Sequence, residues 1–210
     1  MRHGPQIVIA IALTLAGLAP VSAQQLENEF TVFGAYRFGG EISLDESDAT
    51  YEANDSPSFG LIWNRRHQRN TQWEVFFSRQ DTEVEISDPM LASPSVDVEL
   101  YTLQLGGTYL FDGDGVRPYL AMTLGGTHVK ANAGSGDSDT FVSGSLGLGL
   151  KFGSSERLGF RIEARLHSVL VRDSTNLFCQ TGPDLNVCAI EVEGDTFGQL
   201  ETFAGVTFGF

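Results

Sequence analysis

Beyond Leu18, no stretch of this sequence approaches the ~18 consecutive apolar residues that a helical membrane span needs, so crossing a bilayer by helices is excluded. Base is also scarce: 13 Lys and Arg stand against 27 Asp and Glu, for a formal net charge of −14. That balance argues against nucleic acid as a partner, because phosphates are bound through Lys and Arg. Proline is rare, and segments with a helical period are hard to find. There are only 2 cysteines, Cys179 and Cys188, with no histidine close by in sequence. Two thiols alone make a poor metal site. In an exported chain, such a pair in a loop-like stretch is expected to close a disulfide. The chain-entropy model assigns that clip roughly 2.5–3 kcal/mol.

What is present is a leader-like start, many glycines and strict two-residue alternation. Arg2 and His3 precede an apolar run over 7–18, and Val21-Ser22-Ala23 supplies a small-x-small cleavage site before Gln24. We expect residues 1–23 to be a secretory signal and 24–210 to form one domain. The segment 196–210 (TFGQLETFAGVTFGF) has Leu200, Ala204, Val206, Phe208 and Phe210 on one parity. Gln199, Glu201, Thr207 and Gly209 lie on the other. This is the pattern of a strand with one apolar face.

Seven further segments alternate in the same way: 29–38, 58–64, 72–81, 98–111, 117–128, 140–152 and 158–171. Phe33 and Ile62 break the pattern in the first two. Short connections (65–71, 112–116, 153–157) alternate with long ones (39–57, 82–97, 129–139, 172–195). The DGDGV of 112–116 supplies the positive φ of a tight hairpin turn. Short turns at one end and long loops at the other predict an eight-stranded antiparallel transmembrane β-barrel, with both termini at the short-turn end. Aromatics sit at the ends of the apolar parity. Trp63, Trp73, Tyr109, Phe160 and Phe208 fall near one rim, and Phe38, Phe59, Phe77 and Tyr101 near the other. Two such girdles suit a surface facing lipid. The alternative is a soluble, lipocalin-like periplasmic binder, in which the same residues would form the core.

The leader, the eight amphipathic strands, the loop alternation and the ending Thr207-Phe208-Gly209-Phe210 together resemble the OmpA/OmpX-type small outer-membrane β-barrel proteins. The resemblance covers the whole segment 24–210. It implies residence in the outer membrane of a Gram-negative bacterium, with loops facing outward and both termini periplasmic. Outer-membrane lipid and lipopolysaccharide would be the surroundings, and the barrel assembly machinery would recognise Phe208 and Phe210. A monomer is expected. No peptidoglycan-binding segment follows the barrel, so the resemblance to OmpA itself does not extend to wall anchoring.

The parity opposite the apolar one offers Arg37, Glu74, Gln104, Arg161, Glu163, Arg165, His167, Gln199 and Glu201. An eight-stranded barrel is only wide enough for side chains to fill. These residues are therefore expected to form a paired lumen network, and a narrow ion path is the other possibility. Gly147 and Gly149 face inward and leave room for longer neighbours. The acids of the first two long loops, among them Glu41, Asp45, Glu46, Asp48, Glu52, Asp55, Glu83, Glu85, Asp88 and Asp97, read as a solvated face. Asp112-Gly113-Asp114 is no EF-hand, since Thr123 stands where the twelfth-position acid belongs. No candidate triad survives a parity test: His167 adjoins Ser168 and His128 adjoins Thr127, which places each pair on opposite sides of a strand. No cofactor is implied. The function expected is non-catalytic, structural or surface-interacting through the loops. A lipid A-modifying enzyme and a small-solute pore are the alternatives.

Overall fold

The computed structural model describes residues 27–39, 41–43, 50–87, 95–131, 138–153, 157–170, 179–181, 186–188 and 196–210. The signal-peptide reading, and the loop acids Asp45, Glu46, Asp48 and Asp88, lie outside these residues. Twelve strands are present among the described residues. In chain order they are β1 (Asn28–Phe38), β2 (Glu41–Ser43), β3 (Thr50–Ala53), β4 (Ser56–Arg66), β5 (Thr71–Ser87) and β6 (Ser95–Leu110). They continue with β7 (Val116–Ala131), β8 (Ser138–Phe152), β9 (Leu158–Leu170), β10 (Cys179–Thr181), β11 (Asn186–Cys188) and β12 (Thr196–Gly209).

Eight of them close a barrel. Going round, β1 pairs with β4, then β5, β6, β7, β8, β9 and β12 follow, and β12 pairs back with β1, every step antiparallel. The seam is in register along its length, from Glu29 opposite Gly209 to Phe38 opposite Leu200. It is fastened at its lower end by Asn28 N donating to Phe210 O at 3.1 Å and Phe210 N donating to Asn28 O at 2.9 Å. The short turns match their sequences. Gly115 of DGDGV has φ +77° and Gly153 has φ +69°, conformations that side-chain-bearing residues resist. The 65–71 turn is closed by His67 N and Gln68 N, both donating to Thr71 O at 2.9 and 3.1 Å.

At the other end the strands outrun their expected length. β5 has 17 residues, and β6 and β7 have 16 each. Stretches read as loop, such as 82–85, are laddered against 95–98. There the alternation reverses its sense: Asp81, Glu83 and Asp97 point outward and are exposed, while Val98, Leu100 and Ala131 point inward and are buried. Beyond the hydrocarbon the outer face meets water, so these parts do not continue the apolar-outward pattern of the strands below. The first long connection contributes β2 and β3, and β3 extends the sheet beside the upper part of β5. The fourth contributes the β10–β11 hairpin, whose register sets Cys179 opposite Cys188.

The apolar parity faces outward. Leu103, Leu105, Met122, Leu124, Leu148 and Leu166 are all more than half exposed. A soluble barrel would have buried them, so the lipocalin-like arrangement is not the one adopted. The expected girdles are present on that outer face, with Trp63, Trp73, Tyr109, Phe160 and Phe208 exposed at the short-turn end and Phe38 and Phe59 at the other.

The interior corrects one expectation. Its middle is not filled by polar side chains alone. Phe33, Ile62, Phe76 and Phe203 point inward and pack together, with the Phe33 ring stacked 4.4 Å from Phe203 and 5.6 Å from Phe76. The residues that broke the alternation are therefore inward-facing members of an apolar layer. Gly60 makes space for it, since a Cβ there would fall 2.5 Å from the Phe33 ring. A smaller cluster of Leu110, Tyr119 and Ala121 lies nearer the short turns. Phe76→Ala is expected to cost about 3–5 kcal/mol, as truncation of a buried aromatic does. Urea titration of the protein folded in lipid vesicles would check this, and a loss under 1 kcal/mol, as for most surface changes, would contradict the packing.

Candidate functional site in the barrel lumen

Strand β9 supplies the centre of the lumen. Its sequence RIEARLH places a polar group at every second position, so Arg161, Glu163, Arg165 and His167 form an inward column. Glu74 arrives from β5 on the opposite wall and is 1% exposed. Arg161 donates through Nη2 to Glu74 Oε2 at 3.0 Å and to Glu163 Oε2 at 2.6 Å. Arg165 donates through Nη2 to Glu74 Oε1 at 2.6 Å, and its Nε donates to Glu163 Oε1. Two guanidiniums and two carboxylates thus form a closed ring spanning the barrel, each carboxylate receiving both arginines.

Around this ring stand residues that complete it. Tyr119 donates its hydroxyl to Glu163 and receives Arg161 Nε at 2.6 Å. Thr108 donates to Glu74 Oε2 at 2.6 Å, and Asn64 Nδ2 donates to the same oxygen at 2.9 Å. Asn64 Oδ1 accepts from Arg161 Nη1 at 3.0 Å. The expected vacancies are used: a Cβ at Gly147 would lie 2.1 Å from Glu163 Oε1, and one at Gly149 would lie 2.2 Å from the Tyr119 hydroxyl. Buried ions are tolerable only when pairing and hydrogen bonding offset their lost hydration, and here both are supplied.

A second group lies toward the long-loop end. Arg37 donates through Nε and Nη2 to Glu201 Oε2 at 2.9 and 2.6 Å. Its remaining donors reach Gln80 at 3.0 Å and Ser78 at 2.9 Å. Ser58 also donates to Glu201, at 2.8 Å, and His167 Nε2 stands 3.4 Å from its other oxygen. Gln104 belongs to a neutral cluster. Its Oε1 accepts from Thr123 and Ser145 at 2.8 and 2.9 Å, and its Nε2 donates to Ser143 at 2.9 Å.

The expected lumen residues therefore all point inward and fall into separate layers. Gln199 is buried but joins neither charged group, and its Nε2 has no partner among the described residues. Sequence reasoning missed Asn64, Tyr119, Lys151 and Glu29. Lys151 donates to Glu29 and to Gln72, the latter at 2.8 Å, making a third charged layer near the short turns. Parity would have placed Lys151 and Tyr119 inward, but each is flanked by apolar residues and reads as part of a lipid-facing run. Ser168 lies on the opposite face of β9 from His167, as parity requires. Among the described residues no three His, Cys, Asp or Glu could hold one metal ion.

A closed eight-stranded barrel with an apolar exterior and an ion-paired interior is the architecture of an outer-membrane protein. The family model for the outer membrane protein beta-barrel domain matches residues 9–208, and the chain belongs to that family. No curated protein matches the sequence. Among solved structures, Neisserial surface protein A is similar at 17% identity, covering 86% of this chain and 97% of that one, with a TM-score of 0.57. The N-terminal β-barrel domain of Pseudomonas aeruginosa OprF matches at 18% identity, covering 89% and 98%, with a TM-score of 0.46. The attachment invasion locus protein Ail of Yersinia pestis matches at 17% identity, covering 87% and 100%, with a TM-score of 0.45. The family places this chain in the outer membrane of a Gram-negative bacterium.

Removing one member of the ring leaves its partners buried with unbalanced charge. Arg165→Ala is expected to destabilise the barrel by about 3–5 kcal/mol, lowering the temperature at which it unfolds in detergent. It should open no wide pore, because Arg161 still bridges Glu74 and Glu163. Thermal unfolding followed by circular dichroism, with single-channel recording of the same variant, checks both parts. An unchanged melting temperature or a large conductance would refute the ring as the central brace.

Proposed function

We propose that this protein is a non-catalytic outer-membrane barrel, acting structurally or through surface interactions at its long-loop end. The observation that carries the reading is the crossbar of Arg161, Glu74, Arg165 and Glu163. It occupies the lumen with groups already committed to one another. A lumen so braced holds the barrel in register and leaves specificity to the ends of the strands and to the loops. The ion-path reading has less support, because the crossbar and the Phe33–Phe76–Phe203 layer both lie across the way. A lipid A-modifying activity needs a nucleophile, a base in reach of it and a third group that orients the base. Of the described histidines, His167 faces Glu201 and Phe76, and His67 lies against Trp73. His128 stands 3.0 Å from the exposed Thr140 hydroxyl, but no carboxylate holds its ring among the described residues, so this pair lacks the orienting member.

In this reading both termini lie on the periplasmic side, where Phe208 and Phe210 serve the assembly machinery. Outer-membrane lipid surrounds the apolar band, and lipopolysaccharide meets the rim near Phe38, Phe59 and Tyr101. The β10–β11 hairpin then projects outside the cell, and Cys179–Cys188 closes as a disulfide. Opposed residues of an antiparallel pair have Cβ atoms about 4.5–5.5 Å apart, which a disulfide can draw together. A membrane-impermeant maleimide applied to intact cells tests side and bond together. Labelling is expected only after reduction. Labelling without reductant would mean free thiols, and labelling that also requires permeabilised cells would invert the orientation. Lipid A that differs between cells with and without the gene would overturn the non-catalytic assignment.

A further inference from the structure

One place on the barrel wall departs from the even apolar exterior. On β6 the outward position between Leu105 and Tyr109 is Gly107, paired with Trp73 on β5 and with Met122 on β7. The missing side chain leaves a groove of about 350 Å³ lined by Trp73, Gly107, Tyr109, Leu120 and Met122 and bounded at its lower end by His67. The His67 ring stands 5.4 Å from that of Trp73. Past Thr71 and Tyr109 the groove continues into a recess of about 410 Å³ between two of the short turns, where Arg69, Asn70 and Asp112 line the walls.

The two halves differ in chemistry. The groove lies on the face that meets lipid, within the aromatic girdle that marks the interface. Its natural occupant is a hydrocarbon chain. The recess lies on the water side of Tyr109 and carries one cation and one acid. Neither Arg69 nor Asp112 has an ion-pair partner among the described residues, and Asp112 Oδ1 accepts only a long, 3.5 Å hydrogen bond from Asn70 Nδ2. Behind them, Asn70 Oδ1 and Thr71 Oγ1 are buried without a hydrogen-bond partner among the described residues. A purely anionic head group would meet Asp112 unfavourably. A head group with a phosphate and a free ammonium matches both charges.

We propose that this groove and recess bind one phosphoethanolamine phospholipid, an acyl chain lying over Gly107, the phosphate at Arg69 and the ammonium at Asp112. The leaflet involved, the periplasmic one, rests on the orientation proposed above. The binding itself does not, so cysteine labelling and lipid binding fail independently.

The test is native mass spectrometry of the full chain folded in detergent, titrated with dioleoyl phosphatidylethanolamine, phosphatidylglycerol or phosphatidylcholine. One phosphatidylethanolamine is expected to be retained, in preference to the other two. Gly107→Leu fills the groove, and its Cβ would meet only the Gln72 carbonyl oxygen, at 3.2 Å. It should weaken retention of all three lipids by about tenfold, the equivalent of roughly two methylenes of lost burial. Arg69→Gln should weaken phosphatidylethanolamine and phosphatidylglycerol together. Asp112→Asn should abolish the preference for phosphatidylethanolamine over phosphatidylglycerol while leaving the latter bound. Both of these positions lie in exposed turns, so the test stands even if Gly107→Leu folds poorly. Equal retention of the three lipids by the unaltered protein, or a preference indifferent to Arg69 and Asp112, would overturn the proposal.

Discussion

In hydrocarbon a backbone N–H or C=O without a partner costs several kcal/mol, and the rest of this structure follows from meeting that demand. A sheet of eight strands has two edges, and the only partner available to one is the other. The seam between β1 and β12 provides this, residue against residue from Glu29–Gly209 to Phe38–Leu200. Once the seam is closed, each strand has one face toward lipid and one toward a narrow interior. Two-residue alternation then sorts side chains between two media. Leu, Val and aromatic residues take the outside and polar groups take the inside, the reverse of a water-soluble barrel.

The interior is arranged in layers along the axis. From the short turns upward come the Lys151–Glu29 pair, the arginine–glutamate ring and the neutral Gln104 cluster, with the Arg37–Glu201 pair toward the long loops. The apolar layer of Phe33, Ile62, Phe76 and Phe203 lies between the charged groups and is joined to them. The Arg165 guanidinium lies 4.2 Å from the centre of the Phe76 ring, and that of Arg161 lies 4.5 Å from Tyr119 and 5.7 Å from Phe203. A guanidinium can hydrogen-bond in its plane and rest its face on an aromatic ring. Arginine therefore ties the charged layers to the apolar one, which the compact ammonium of lysine would do less well.

Much of this was legible in the sequence, and the reason is physical. The membrane imposes a strict parity on every strand, so the number of strands, their order and the direction of Glu74, Arg161 or Arg165 could be read from alternation alone. What alternation cannot tell is which residues meet across the lumen, since that depends on register and strand tilt. The convergence of Glu74 with β9, or of Arg37 with Glu201, was therefore not visible. Parity also misled where an inward residue happened to be apolar. Phe33 and Ile62 looked like irregularities, yet they are as inward as Glu74, because the lumen of so narrow a barrel is close-packed and indifferent to polarity where no charge needs water. Past the hydrocarbon the outside is water, so the sense of the alternation inverts: Asp81, Glu83, Asp97 and Lys130 face out while Val98, Leu100 and Ala131 face in, and the upper parts of β5, β6 and β7 no longer matched the strands below them.

Those upper parts carry the wall beyond the bilayer on strands of unequal length. At about 3.4 Å per residue and a tilt near 40°, strands of 16 or 17 residues rise well past the hydrocarbon. β1, with 11 residues, does not. The first long connection makes up the difference: β3 pairs with the upper part of β5, β2 pairs with β3, and β2 also lies against β12, so the sheet is carried round past the ends of β4 and β1. To the lipid around it the barrel is nearly symmetric, whereas beyond the hydrocarbon the wall from β5 round to β12 is built from a different stretch of chain than the wall below it. The rim can therefore change with that connection while the span below keeps its register.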